Sequence, residues 1–151
     1  MFTNFVMAEE LQGGVTYTVD SARDYIQAGM PDGIEIPDNR YSFQEENIEK
    51  VVYSRNNSGE IVGVTVQYIN ESTKAYIYKK GNLAYVEKYD KPISIYPHRG
   101  YRYNLDSELV SSSLTVTKDE LFRFDPAGGL IAHSVKGIIY DENGKVIGTA
   151  K

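Results

Sequence analysis

Apolar and polar residues alternate with a period of two along most of the chain, the pattern of strands whose two faces meet different surroundings. The clearest run is residues 75–90, AYIYKKGNLAYVEKYD. Gly81-Asn82 lies between its two alternating halves and predicts a hairpin with these residues as its loop, because glycine accepts positive φ without a Cβ clash. In that register Lys80 faces Leu83, Tyr78 opposes Tyr85, Ile77 opposes Val86 and Tyr76 opposes Glu87. Ala75, Ile77, Ala84 and Val86 then share one face, and Tyr76, Tyr78, Tyr85 and Tyr89 share the other. That tyrosine face has two readings. It is either cross-strand packing half-buried against a neighbouring element, or an aromatic platform for a sugar, peptide or protein partner.

Further hairpins follow from the same pattern. Asn56-Asn57-Ser58-Gly59 predicts a turn in which Arg55 pairs with Glu60, Tyr53 opposes Val62 and Val51 opposes Val64, with Val66 on their face and Lys50, Ser54, Thr65 and Gln67 on a wet one. Residues 93–97 read as a brief strand, His98-Arg99-Gly100 as a loop, and Tyr101 as the start of another strand. Residues 107–117 read as a strand. The period of Leu114, Val116, Phe122 and Phe124 favours a hairpin over a short capped helix at residues 117–122. After a break at residues 125–129, a last hairpin over residues 130–149 turns at Glu142-Asn143-Gly144 with Tyr140 facing Val146. It resembles the first hairpin: VVYSRNNSGEIVG and IIYDENGKVIG share β-branched pairs, a tyrosine and an Asn/Gly turn.

The alternation gives way near the N-terminus. Residues 15–19 predict a short strand. Ser21 with Asp24 makes a capping pair, Ala22, Tyr25 and Ile26 fall on one helical face, and Gly29 with Pro31 ends the helix. Residues 30–40 read as a loop, and Ser42 with Glu45 as one helical turn leading into a strand that begins near Ile48. The expected fold is mainly β: a single antiparallel barrel or strongly curved sheet of consecutive hairpins with a short N-terminal helix, in about seven or eight strands. An α+β arrangement is the alternative. Residues 1–14 read as an N-terminal arm and residues 15–151 as a single β-rich domain.

Composition narrows the function. The 151 residues are 41% hydrophobic, enough for one domain with a real core. A net charge of −5 argues against a nucleic-acid partner, which needs clustered lysine and arginine. With no cysteine there is no disulfide, thiolate metal site or cysteine nucleophile. Thirteen tyrosines, no tryptophan and many Val, Ile and Thr favour strands. No apolar run is long enough to span a bilayer as a helix. The opening MFTNFVMAEE pairs a short apolar stretch with small residues, as the remnant of a signal peptide would. An extracellular or cell-surface location is therefore expected, with a cytoplasmic one as the alternative.

Catalytic signatures are missing. His98 and His133 flank Ser111, Ser112 and Ser113, but no Gly-x-Ser-x-Gly elbow accompanies them. Asp141-x-Asn143-Gly144 is explained by turn chemistry, and no cofactor or metal site is predicted. Carboxylate pairs suited to glycoside hydrolysis are too numerous among 21 acids to single one out. The cluster Tyr96, His98, Arg99, Tyr101, Arg102 and Tyr103 holds residue types that dominate binding hot spots. The candidate contact residues are Tyr76, Tyr78, Tyr85, Tyr89, Arg99 and Tyr101. They point to a non-enzymatic binding or interaction module of a secreted or surface-attached bacterial protein, contacting a protein or glycan partner. The alternatives are a small hydrolase with its site in a barrel mouth and a structural assembly subunit, as in a phage or surface layer.

Overall fold

In the computed structural model, which describes residues 16–36 and 45–151, the alternating runs become antiparallel strands after a single short helix. Helix α1 spans Val19–Ala28. The strands are β1 (Ile48–Asn56), β2 (Ile61–Tyr68), β3 (Lys74–Lys79), β4 (Asn82–Tyr89), β5 (His98–Tyr103), β6 (Leu109–Thr117), β7 (Glu120–Phe124), β8 (Leu130–Val135), β9 (Ile138–Tyr140) and β10 (Val146–Ala150). Each pairs with its neighbours in sequence, and β1 meets β10 through Ser54–Ala150, Arg55–Thr149 and Asn56–Gly148, which closes a barrel. Closure removes the unpaired edges that an open sheet would present. The two similar hairpins, β1–β2 and β9–β10, lie side by side at this seam.

The barrel has ten strands where seven or eight are expected. Residues 130–149 hold three strands, because Lys136 and Gly137 both take positive φ (52° and 83°) and turn the chain once more. Residues 93–97 are not a strand, and His98-Arg99-Gly100 is not a loop: all three belong to β5. Gly100 is there for space. A Cβ on it would sit 2.5 Å from Glu87 Oε2 and 2.7 Å from Ser113 Oγ.

Four turns repeat one device. Asn56, Asn104, Asp125 and Asp141 each accept, through the side-chain Oδ1, the backbone N–H groups two and four residues on. The fourth residue of each turn, Gly59, Ser107, Gly128 or Gly144, has positive φ. The acceptor replaces the partners that the backbone loses in leaving the ladder. These turns and Lys80-Gly81 close one end of the barrel tightly. At the other end Lys118-Asp119 and Lys136-Gly137 are tight, β2–β3 (residues 69–73) matches the five-residue turns of the first end, and β4–β5 (residues 90–97) is the longest connection in the barrel.

Helix α1 starts earlier than expected. Thr18 is its N-cap, Ser21 is the third residue of the capping box rather than its start, and residues 16–18 form no strand. Ala22 and Ile26 bury against Tyr101, Tyr103, Leu114, Phe122 and Phe124. Three long-range bonds fix the helix: Tyr101 Oη donates to Ile26 O at 2.6 Å, Arg99 Nη1 to Tyr25 O at 2.9 Å, and Arg23 Nε to Gly128 O at 2.5 Å. The same face of the sheet continues into Val66, Tyr68, Tyr76, Tyr78, Leu83 and Val86, with Ile34 packed against both groups. The expected N-terminal arm and the Ser42 end of the expected helical turn lie outside the described residues.

Register separates the hairpins. In β1–β2, Tyr53 pairs with Val64 and Val51 with Val66, two residues from expectation, so the expected faces survive. The hairpin β9–β10 pairs Tyr140 with Val146 as expected. In β3–β4 the loop is Lys80-Gly81, both at positive φ (53° and 82°), and Lys79 pairs with Asn82. A bulge then places Tyr78 opposite Leu83 but Ile77 opposite Tyr85 and Tyr76 opposite Val86. The net slip is odd, and an odd slip exchanges the faces.

Candidate functional site

The corrected register divides the predicted contact residues. Tyr76 and Tyr78 do not share a face with Tyr85 and Tyr89; they join the core, each 1% exposed. Tyr68 packs its ring edge-on to Tyr76 at 5.5 Å, and its hydroxyl lies 3.2 Å from that of Tyr78. Tyr85 stands on the opposite face, beneath Lys79 Nζ at 5.2 Å and near Arg102. Tyr89 packs against the edge of His98, and burial, reinforced by the Glu87 charge, raises its pKa. Arg99 and Tyr101 serve the helix. Arg99 is ion-paired to Asp90 at 2.6 Å and lies 4.3 Å over the Tyr25 ring. Burial pushes the Tyr101 hydroxyl up to about 12 although Arg99 opposes it. No single surface gathers these six residues.

The face that carries Tyr85 and Tyr89 holds a buried ion cluster. Glu87 is 1% exposed and accepts from Arg102 Nε at 3.0 Å, from Arg123 Nη2 at 3.3 Å and from Ser113 Oγ at 3.0 Å. Burial alone would raise the Glu87 carboxyl, but Arg123 and Arg102 outweigh it and hold the pKa at about 2. Ser111 accepts from Arg123 Nη1 at 2.9 Å. Two of the three consecutive serines are thus bound into this cluster. The histidines sit elsewhere: His98 is buried with Nδ1 3.0 Å from Ile95 O, and His133 stacks on Phe122 with Nε2 2.7 Å from Glu120. Among the described residues no group of three His, Cys, Asp or Glu side chains is arranged to hold a metal ion.

A concavity among the described residues lies at the end of the barrel that carries the β2–β3 and β4–β5 connections. It is a cleft of about 420 Å³ between the start of β1, the end of β2 and those two connections. Glu49, Lys50, Gln67 and Tyr68 line it from the strands; Ile69, Glu71 and Ser72 line it from β2–β3; Ile93, Ser94 and Tyr96 line it from β4–β5. Tyr96 is 40% exposed. Both walls are braced from behind. Tyr76 Oη donates to Glu71 Oε1 at 2.5 Å, so a core tyrosine fixes a carboxylate of one wall. His98 holds Ile95 O, and its ring lies 5.4 Å from that of Tyr96, which steadies the other wall. Gln67 Oε1 is buried without a hydrogen-bond partner at the cleft floor.

Sequence reasoning picked out Tyr96 by its aromatic neighbours but missed Glu49, Gln67, Glu71, Ser72 and Ser94. Only Ser94 carries a sequence signal, the length of the connection at residues 90–97, since long loops on a rigid scaffold are where binding residues concentrate. No protein-family model, curated protein or solved structure matches the chain. No helix among the described residues is long and apolar enough to cross a membrane.

Proposed function

We propose that the protein is a non-enzymatic binding module that holds a protein or glycan partner in the cleft between the β2–β3 and β4–β5 connections. One observation carries this: β2–β3 and the long β4–β5 connection, at the same end of the barrel, form a braced concavity with an exposed aromatic ring. Clefts with an apolar lining and a few placed polar groups are the usual form of a ligand site. A secreted or surface-attached bacterial setting rests on the composition of residues 2–8 alone. The assembly-subunit reading would work through an exposed strand edge, and the β1–β10 pairing makes it the less supported reading.

The hydrolase alternative keeps one observation in its favour: Glu49 and Glu71 line the same cleft, and paired carboxylates are what glycoside hydrolysis requires. Ser72 and Ser94 are exposed, so tryptophan at either position fills the cleft without disturbing the core. Arrays of immobilised oligosaccharides and short peptides, probed with the wild type and with Ser72→Trp and Ser94→Trp, test the binding reading. Features lost by both variants support it. Binding that neither variant changes overturns it, and the appearance of new reducing ends in bound oligosaccharides would favour the hydrolase.

A further inference from the structure

Resting on the cleft as a binding site, we infer that its ligand is a neutral, polyhydroxylated saccharide, and that Tyr76 acts from the core as the positioning residue for the recognising carboxylate of Glu71. The chemistry of the lining decides the class. The described lining sets the carboxylate of Glu49 beside the ammonium of Lys50, so an anionic ligand meets the first and a cationic ligand the second. A purely apolar ligand would bury the Glu49 carboxylate, the Lys50 ammonium and the unbonded Gln67 Oε1 without offering them hydrogen bonds.

Sugar hydroxyls both donate and accept, and the lining offers both roles: carboxylates that accept, an ammonium that donates, and Ser72 and Ser94 hydroxyls that do either. The apolar C–H face of a pyranose suits the exposed ring of Tyr96, with Ile69 and Ile93 alongside. Pre-positioning matters because a ligand that must itself order a carboxylate loses affinity to that ordering. Glu71 is held before any ligand arrives, through its bond to a tyrosine that is 1% exposed.

The test is titration of isotope-labelled full-length protein with neutral tetrasaccharides of glucose, mannose and N-acetylglucosamine, and separately with lysine-rich and glutamate-rich peptides, followed by amide NMR. Saccharide-induced shifts confined to residues 49–50, 67–72 and 93–96 are expected. Tyr76→Phe keeps the buried ring and should weaken saccharide binding about tenfold, as should Glu71→Gln. The double variant should be no weaker than Glu71→Gln alone, because the two act through one bond. Tyr53→Ser, outside the cleft, should bind as the wild type does. Thermal unfolding shows whether Tyr76→Phe is folded; Glu71→Gln, outside the buried core, carries the test if it is not. Wild-type affinity in folded Tyr76→Phe overturns the positioning role. Peptide shifts in the cleft without saccharide shifts overturn the ligand class and leave the binding reading standing. No shift from any probe overturns both.

Discussion

The hairpins β1–β2 and β3–β4 have nearly the same recipe, two alternating arms about a glycine-containing turn, yet they end in opposite situations. In β1–β2 the register differs from the simple expectation by two residues, so Val51, Val64 and Val66 still share a face and Lys50 and Gln67 the other. In β3–β4 the slip is odd, so Tyr76 and Tyr78 turn into the core and the other face becomes that of Glu87 and Tyr89. Alternation along a strand reports which residues share a face. It says nothing about how many residues a bulge inserts opposite them. The difference has a structural consequence: Tyr76, which looks like a surface contact residue, instead bonds Glu71 in the cleft wall.

The surroundings of the two hairpins differ too. Tyr53 on β1 is 44% exposed, whereas β3 is buried on both faces from Ala75 to Tyr78. Damage to β3–β4 should therefore cost far more than matching damage to β1–β2. The largest effect is expected from Glu87→Ala, which strands Arg102 and Arg123 without their carboxylate: about 3–5 kcal/mol in chemical denaturation. The matching change on β2, Thr65→Ala, should cost less than about 1 kcal/mol. Comparable losses would mean the two hairpins are equally buried.

Tyr78→Ser should come next, at about 3–4 kcal/mol, against less than about 1 kcal/mol for Tyr53→Ser. A mild Tyr78→Ser would return that ring to the surface and restore the simple register.

The pH dependence isolates the Glu87 face. The carboxyl titrates near 2 in the folded protein instead of 4.5, so between those values the unfolded chain binds more protons. The stabilisation is complete above pH 4.5 and lost as pH falls toward 2, on the order of 3 kcal/mol. Glu87→Gln should flatten that limb. His98 acts in the same direction at higher pH: burial holds its pKa below 6.5 despite the Ile95 carbonyl, so stability begins to fall as pH drops below 6.5. Denaturation midpoints between pH 2 and 7 check both.

The smallest effect belongs to the turn of β1–β2. Asn56→Ala removes the acceptor for Ser58 and Glu60 N–H and should cost about 1 kcal/mol. A loss as large as that of Tyr78→Ser would show that the turn, not the buried strand, governs the fold.

How far the chain could be read follows from these particulars. Alternation and turn residues were enough for a single antiparallel barrel with one short helix, and for the Tyr140–Val146 pairing. They misplaced Lys80-Gly81 and passed over Lys136-Gly137, because lysine at positive φ is not a residue type that announces a turn. They read Gly100 as a loop residue, because its purpose is a close approach by Glu87 from another strand. Glu71 and Gln67 were illegible for the same reason: their roles come from Tyr76 and from the β4–β5 connection, which only the closed barrel brings near.

Cross-strand contacts between backbone Hα protons and amides across β3–β4, read from NOE spectra, test the central claim most directly. Contacts linking Ile77 with Tyr85 and Tyr76 with Val86 are expected, with none placing Tyr78 opposite Tyr85. Contacts that pair Tyr78 with Tyr85 and Ile77 with Val86 would contradict it, returning the tyrosines to one shared face and removing the brace behind Glu71.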